Sequence, residues 1–520
     1  MFKYTPVMAA VLLLSACGSD GPKVTTTPVV IEDPVVTEPV YSFTNLEATM
    51  NTDLANNNAP AVSIAIMKSG ELIYANAFGS KVKDGGEVVD TDTLFQIGST
   101  TKMFTATAAL QMIQDNTITL DQSLPSALPT LNLSSEHTGW NDITMHHLLT
   151  HQGGFDDFVD WEPADSLMEF ALTTFPEEAG QMNPAGKFYN YSNPNWSYLG
   201  AIIEYQQQSP YAQVMEDKVF NPLGMTRSSM SYTGVKADGN YALGVSTAMV
   251  NGEVISVGAQ SLEEITEPTF GKPAGGYTWS TPSEMVKMGQ FILEGNTAVL
   301  SDELRLKMRT EQVDTQFGFP ESYGYGLFIR PGIFVENGWL PVTVLEHGGN
   351  TSNYTSMFWI LPEQDIVISI LSSGDGNNFS SSMFAALDAS MDLPATVTAP
   401  LEPVDHDLFA SHVGQYELDV GVLEVFEEAG VLKLNIPFLE DAGITYEPIL
   451  QGLAGSTFRF QFDGELFFLT FLPDQPGGQS TYIRAREFVA IRVGSAAVGA
   501  VNKAKVKSPS KIFSKPVTLN

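Results

Sequence analysis

Two apolar runs, Ala61–Met67 and Leu72–Phe78, flank Lys68-Ser69-Gly70. Runs of this length on either side of a Ser-Gly turn predict a β-hairpin. A second pair, Tyr354–Leu361 and Ile366–Leu371, flanks Pro362-Glu363-Gln364-Asp365 and predicts another. Between them the chain has mostly helical patterning. Met103–Ile113 is rich in Ala and Met and free of Gly and Pro. Thr281-Pro282-Ser283-Glu284 carries the signature of a capping box with proline at the first helical position, and it opens a helix to about Leu293. Strands at both ends with helices between them predict one antiparallel sheet made by the two ends of a domain, with a helical region inserted. After about Thr396 the pattern shortens. Val422–Phe426, Val431–Ile436, Thr457–Phe462, Leu466–Leu472 and Phe488–Val493 read as strands, with turns at Glu428-Ala429-Gly430 and Asp463-Gly464-Glu465. That spacing predicts a small all-β barrel or sandwich.

The ends of the chain differ from this body. Val7–Leu14 is apolar, follows Lys3, and is too short to span a bilayer, which fits the core of a secretory signal. It runs into Leu14-Ser15-Ala16-Cys17, and Cys17 is the only cysteine in the protein. This segment resembles a bacterial lipobox, so residues 1–16 are expected to be a lipoprotein signal peptide and Cys17 the lipidation site. Gly18 follows in place of a retention aspartate, which favours an outer-membrane location facing the periplasm or the cell surface. Residues 17–42 carry Pro22, Pro28, Pro34 and Pro39 among Thr and Val and read as a tether. Residues 501–520 hold five lysines and no acid and read as a flexible basic tail. The expected order is therefore signal peptide 1–16, tether 17–42, mixed α/β domain 43–392, all-β domain 400–495 and tail 501–520.

Charge narrows the range of partners. The 520 residues include 60 acids and only 26 bases, a formal net charge of −34. A groove that tracks phosphates needs clustered Lys and Arg, so nucleic acid is excluded as an expected partner. At 43% apolar residues the chain has ample material for a core, and charge-driven disorder is excluded.

Ser-x-x-Lys occurs three times, at Ser80/Lys83, Ser99/Lys102 and Ser508/Lys511. Ser508 lies in the basic tail. Ser80 stands at a strand end before a Gly-rich turn. Ser99 opens the strongest predicted helix, where i and i+3 share a face and Lys102 can reach the serine hydroxyl. A helix N-terminus also favours negative charge there. His147 and His151 have a helical ligand spacing, but Leu148 stands where a zincin would carry glutamate, so no metal is expected.

The segment Phe95-Gln96-Ile97-Gly98-Ser99-Thr100-Thr101-Lys102-Met103-Phe104-Thr105 resembles the nucleophile segment of the serine β-lactamase and penicillin-binding-protein superfamily, class C-like branch. Four further segments agree in order. They are Leu148–Gly154, Phe188–Asn193 followed by Tyr198-Leu199-Gly200, Pro273–Gly276 with Ser280-Thr281, and Tyr325-Gly326-Leu327 with His347-Gly348-Gly349. The likeness covers about Phe43–Ser390. Gln152 and Gly153 depart from the family's Leu-Leu-x-His-Thr-Ser-Gly, and His347 stands where many members have the lysine of Lys-Thr-Gly. The single motifs recur elsewhere, at Tyr74-Ala75-Asn76 and at His137, His151 and His412, so it is their order that carries the resemblance. The all-β region is similar to a barrel appendage seen behind such domains.

The resemblance implies an α/β fold and an acyl-enzyme chemistry without cofactor. It makes Ser99 the nucleophile, with Lys102 and Tyr191 sharing proton transfer, and which of them is the acylation base stays open. Asn193 would orient Lys102 and meet a substrate amide. His347 and Gly349 would line the far wall, and the backbone N–H groups of Ser99 and Asn350 would form an oxyanion hole. His151 would make a structural hydrogen bond. The expected function is a lipid-anchored serine hydrolase for small esters or amides, including D-amino-acid peptides. The alternatives are a non-catalytic envelope protein that binds cell-wall peptide and a β-lactamase. A neutral His347 offers no cation for a substrate carboxylate, which argues against the last. The sequence leaves the oligomeric state open.

Overall fold

A computed structural model describes residues 41–157, 166–178, 180–250, 253–259, 273–462, 465–486 and 488–495. The expected signal peptide, Cys17, most of the tether, the basic tail and the 463–464 turn lie outside the described residues. Residues from Ser42 onward form one compact unit built around two principal sheets.

The first sheet is made by the two predicted hairpins. Ala61–Lys68 and Glu71–Gly79 pair antiparallel through Ser69 (φ +50°) and Gly70 (φ +76°), a turn that needs positive φ at both positions. Thr355–Leu361 pairs with Ile366–Ser372. The hairpins then join each other, with Val62 opposite Ser372 and Lys68 opposite Ile366. The sheet continues beyond Thr355–Leu361 through Val344–Glu346, Phe328–Arg330, Ser322–Tyr323 and Val313–Asp314. The two ends of the domain thus meet at its centre, as the pattern predicts.

Both faces of this sheet are covered, which explains why its strands read as continuous apolar runs. Alternation still sorts the side chains. Val62, Ile64 and Ile66 face the terminal helices Thr44–Asn56 and Ser380–Ser390 through Leu46, Met50, Met383 and Leu387. Ala61 and Ala65 face the other way, into the large core beneath the inserted helices. There the helix Pro282–Glu294 lies so close to the sheet that a Cβ on Gly289 would stand 2.3 Å from Val367 Cγ1. Thr281 caps this helix by accepting from the Glu284 N–H. The Glu284 carboxylate does not return to the cap. It accepts instead from the Arg227 and Ser228 amides and the Ser228 hydroxyl, so only half of the predicted capping box forms.

The C-terminal sheet has eight strands in the order Val431–Asn435, Gly421–Glu428, Gly414–Leu418, Val489–Arg492, Ser480–Arg484, Glu465–Pro473, Thr457–Phe462 and Gln451–Ala454. Leu450 donates to the Leu432 carbonyl and Leu434 to that of Pro448, which brings the two edges together into a nearly closed barrel. Phe458, Phe460, Phe467, Leu469 and Phe471 fill it. Three of these strands, Gly414–Leu418, Gln451–Ala454 and Ser480–Arg484, have no counterpart in the predicted set. They are short and polar-rich, and their partners supply most of the apolar side chains.

The barrel is seated against the mixed α/β domain. Phe188 packs with Leu472, Tyr482, Val489 and Ile491. Arg484 is 1% exposed and donates to the carbonyls of Tyr189 (2.8 Å), Thr315 (2.7 Å) and Gln316 (3.2 Å). The Tyr189 and Thr315 bonds are buried, so the guanidinium works as a clamp on carbonyls shut away from water. Arg484→Ala is expected to lower the unfolding free energy by about 3 kcal/mol in guanidinium denaturation, since it strands buried carbonyls. A loss well under about 1 kcal/mol would show that the seam does not depend on this clamp.

Candidate active site

The site begins with a short strand. Phe95–Gln96 pairs with Trp279–Ser280, and Ile97 donates to the Thr278 carbonyl. Gly98 then turns at φ +52° into a 3-10 turn, Gly98–Thr101, from which the helix Lys102–Gln114 starts. Ser99 therefore sits one tight turn ahead of the α-helix and not on it. A Cβ on Gly98 would stand 2.5 Å from the Asn350 amide nitrogen, and one on Gly349 would stand 2.0 Å from the Ile97 carbonyl oxygen. Only glycine at both positions lets the turn lie this close to the strand Gly349–Asn350. Buried hydroxyls pin the contact. Ser356 Oγ donates to the Ile97 carbonyl (2.7 Å), and Thr100 Oγ1 donates to the His347 carbonyl (3.1 Å).

Lys102 is fully buried. Its Nζ lies 3.1 Å from Ser99 Oγ, 2.8 Å from Asn193 Oδ1 and 2.8 Å from the Gly275 carbonyl. Desolvation drives its pKa well below that of a free lysine. Asp157 opposes the shift, and Arg486 adds to it. The Tyr191 phenol hydrogen-bonds Ser99, and burial raises its pKa while Arg486 and that hydrogen bond pull it down. Lys102 Nζ lies 5.0 Å from the Tyr191 ring centroid. Burial thus favours the uncharged form of both the amine and the phenol that meet at one serine hydroxyl. An uncharged amine can accept the serine proton, whereas a phenolate is disfavoured here. Asn193 stands at the N-cap position of the helix Pro194–Gln207 but makes no side-chain cap there, and its Oδ1 is turned to Lys102 instead.

His347 is buried, its Nδ1 donates to the Gly348 carbonyl, and burial lowers its pKa to about 3. It is a neutral wall group beside Phe328, Tyr323 and Tyr191. Asn350 turns its side chain out of the site, to Asp375, Thr355 and the Gly376 amide. Its backbone is what faces Ser99. Thr351 donates across the hairpin to Tyr354, so the alternating ladder leaves the Asn350 N–H pointing away from Thr355–Leu361, on the Gly98 side.

His151 is buried at φ +57° and stacks on Tyr191 at 4.2 Å. Trp196 Nε1 donates to its Nε2, and its Nδ1 lies against the Ser192 backbone, 2.9 Å from the amide nitrogen and 3.1 Å from the carbonyl. Both nitrogens are engaged, so His151 is a support for Tyr191 and not a metal ligand. His147 is occupied as the reciprocal partner in the Thr144 capping box. Among the described residues no group of three His, Cys, Asp or Glu side chains could hold a metal ion. The rival motifs lie elsewhere. Ser80 Oγ bonds the Val82 carbonyl in a surface loop, and Tyr74 bonds Glu47. Ser508 and Lys511 are outside the described residues.

Four residues near the centre carry no motif of their own. Thr100 and Ser356 pin the Ser99 turn. Asp157 accepts from the Asn193 backbone N–H (2.6 Å), and Arg486 reaches Asp157 Oδ2 at 2.9 Å. Thr100 lies inside the nucleophile segment and was open to inspection. Asp157 and Arg486 are 329 residues apart, and nothing in their local sequence links them.

The Beta-lactamase family model matches residues 46–390, and the chain belongs to that family of serine hydrolases. "Protein flp" of Staphylococcus aureus is 23% identical over 347 residues, which are 63% of this chain. The chain spans 62% of the length of that relative. The crystal structure of SurE superposes with a TM-score of 0.64 at 18% identity, covering 86% of this chain and 98% of that one. The D-amino acid amidase of Ochrobactrum anthropi SV3 superposes at 0.53 with 20% identity, covering 66% and 97%. At these identities the likenesses are of fold.

Burial of Lys102 has a consequence for stability. Its folded pKa is depressed, so between the folded and unfolded values the unfolded chain binds more protons, and stability rises with pH. Lys102→Met removes that term. The melting temperature of Lys102→Met minus that of wild type should therefore fall as pH rises toward about 10, near which a free lysine at last deprotonates and the slope ends. Parallel curves for the two proteins would mean that Lys102 is not held neutral.

Proposed function

We propose that this chain is a serine hydrolase that cleaves small esters or amides, D-amino-acid derivatives included, through an acyl-enzyme on Ser99. The observation that carries the reading is a fully buried Lys102 with its Nζ 3.1 Å from Ser99 Oγ. Lys102 accepts the hydroxyl proton as Ser99 Oγ attacks the carbonyl carbon. The oxyanion forms against the backbone N–H groups of Ser99 and Asn350. As the tetrahedral species collapses, Tyr191 gives its proton to the leaving group and takes up the one that Lys102 received, so that both are uncharged again. Water then adds to the acyl-serine by the reverse sequence, releasing the acid and restoring Ser99. Asn193 holds Lys102 and offers its amide edge to the substrate, and Gly349 keeps the floor thin enough for the Asn350 amide to reach the pocket.

The pocket wall shapes the substrate class. His347 is neutral where a Lys-Thr-Gly lysine would carry a charge, so a β-lactam carboxylate has no fixed cation at that position. Neutral esters and amides suit such a wall better, and the fold likeness to a D-amino acid amidase is in keeping with this. We also propose that the chain is tethered through a lipidated Cys17 to the outer membrane, facing the periplasm or the cell surface. The lipobox-like run and the Pro-rich tether support this.

A panel of p-nitrophenyl esters, D-amino-acid amides, D-Ala-D-Ala peptides and nitrocefin tests the reading. Wild type should turn over an ester or a D-amide and take a fluorophosphonate label at Ser99. Ser99→Ala should lose the label and at least about 10⁴-fold in kcat/KM. Failure of wild type to be labelled or to turn over any member of the panel would sink the proposal. Faster turnover of nitrocefin than of the esters would replace it with the β-lactamase reading.

A further inference from the structure

The barrel reaches into the Ser99 site. Arg484 and Arg486 flank Ala485, which points into the barrel core. The alternation of an extended chain sends the two arginines the opposite way, toward the hydrolase domain. Arg484 clamps the carbonyl of Tyr189, and Ala485 closes a tight turn by donating to the Phe488 carbonyl. Arg486 is thereby held with its guanidinium 4.5 Å over the Tyr191 ring centroid. Its Nη2 and Nε stand 2.9 and 3.2 Å from Asp157 Oδ2. The other oxygen of Asp157 accepts from the Asn193 backbone N–H at 2.6 Å, and Asn193 Oδ1 accepts from Lys102.

We propose that Arg486 and Asp157 are a positioning pair for the acyl-transfer site, so that the site is complete only when the C-terminal barrel is docked. This rests on the reading of Ser99 as the nucleophile. Arg486 fixes the plane of Tyr191 from one side, with His151 stacked within 4.2 Å of the same ring. Asp157 fixes Asn193, and through it the direction of the Lys102 amine. The pair is also balanced in charge. Lys102 is faced by Ser99, Tyr191, Asn193, Trp196 and the Gly275 carbonyl, and by the titratable His151 and His347. Burial keeps both histidines neutral. Among the described residues, Asp157 and Arg486 are the formal charges that act on Lys102, and they act in opposite directions. A lone buried carboxylate would bind Lys102 as an ammonium and quench it as a base. The guanidinium from the barrel cancels that pull.

Arg486→Gln, Asp157→Asn, the double variant and Arg486→Lys test this, each first checked for wild-type melting behaviour. The rate of fluorophosphonate labelling of Ser99 is followed against pH. In parallel, the ε-carbon resonance of Lys102 is titrated in lysine-labelled protein and assigned with Lys102→Arg. Arg486→Gln should move the acid limb of labelling up by about one pH unit or more and slow labelling at neutral pH about tenfold. Asp157→Asn should move the limb down, and the double variant should return it close to wild type. Arg486→Lys, with the charge but not the fork, should recover the limb only in part. Superimposable limbs, or limbs that move the same way in both single variants, would overturn the proposal. If wild type takes no label, the nucleophile reading fails on that result. The Lys102 titration then still decides the pair, because opposite shifts in the two single variants support it and equal or absent shifts refute it.

Discussion

The structure depends on one costly placement, an amine with no exposed surface beside a serine hydroxyl. Taking an ammonium out of water costs several kcal/mol even after relaxation, so burial favours the neutral amine of Lys102, and the fold places Ser99, Asn193 and the Gly275 carbonyl at hydrogen-bond distance from it. Asn193 and the Gly275 carbonyl come from segments far from each other in the chain, and both are aimed at the same nitrogen. The inserted helices, the start of Pro194–Gln207 and the turn before Trp279 all serve that convergence. Tyr191 is subject to the same solvent exclusion, which moves its pKa in the opposite direction and favours the uncharged form there too.

A second constraint is distance of approach. The Ser99 turn and the strand Gly349–Asn350 come together more closely than any side chain permits, and two glycines make this possible. The contact is closed by Ser356 and Thr100, hydroxyls that bond to each other and to buried carbonyls of the same seam. The central sheet supplies the rigidity behind it. Because the first and last hairpins pair in the middle of that sheet, residues more than 250 apart in sequence share a register, and the Asn350 amide is delivered to the Ser99 turn as a fixed donor.

The barrel has a role in this geometry. Its core of phenylalanines is separate from that of the hydrolase domain, yet one turn of it carries a clamp and a cation to the edge of the site. Arg484 spans the seam by hydrogen bonds to backbone, which ties position to main chain and not to the identity of neighbouring side chains. Arg486 then has little freedom of its own. The acidity of the chain fits this. Bases are scarce, yet Lys102 and Arg486 both meet the Tyr191 ring, and Arg484 holds the seam beside them.

What could be read from the residues alone was whatever depends on local order. Ser99 and Lys102 share a turn, Tyr191 and Asn193 share a loop, and the apolar runs around Ser69-Gly70 and Pro362–Asp365 carry their hairpins with them. The short strands Gly414–Leu418, Gln451–Ala454 and Ser480–Arg484 were not legible, because their partners provide the burial that makes them strands. Half of the Thr281 capping box was misjudged for the same reason, since Glu284 found the Arg227 and Ser228 amides instead. The sequence by itself determined the chemical groups and the order in which they are met. Only the tertiary structure decided which of them are buried and which charges face them. Proton affinity depends on solvent exclusion and on distances between segments hundreds of residues apart, and neither is written in the neighbours of a residue. That is why Ser99 and Lys102 could be found by their spacing, whereas Asp157 and Arg486 became visible only once the barrel was in place.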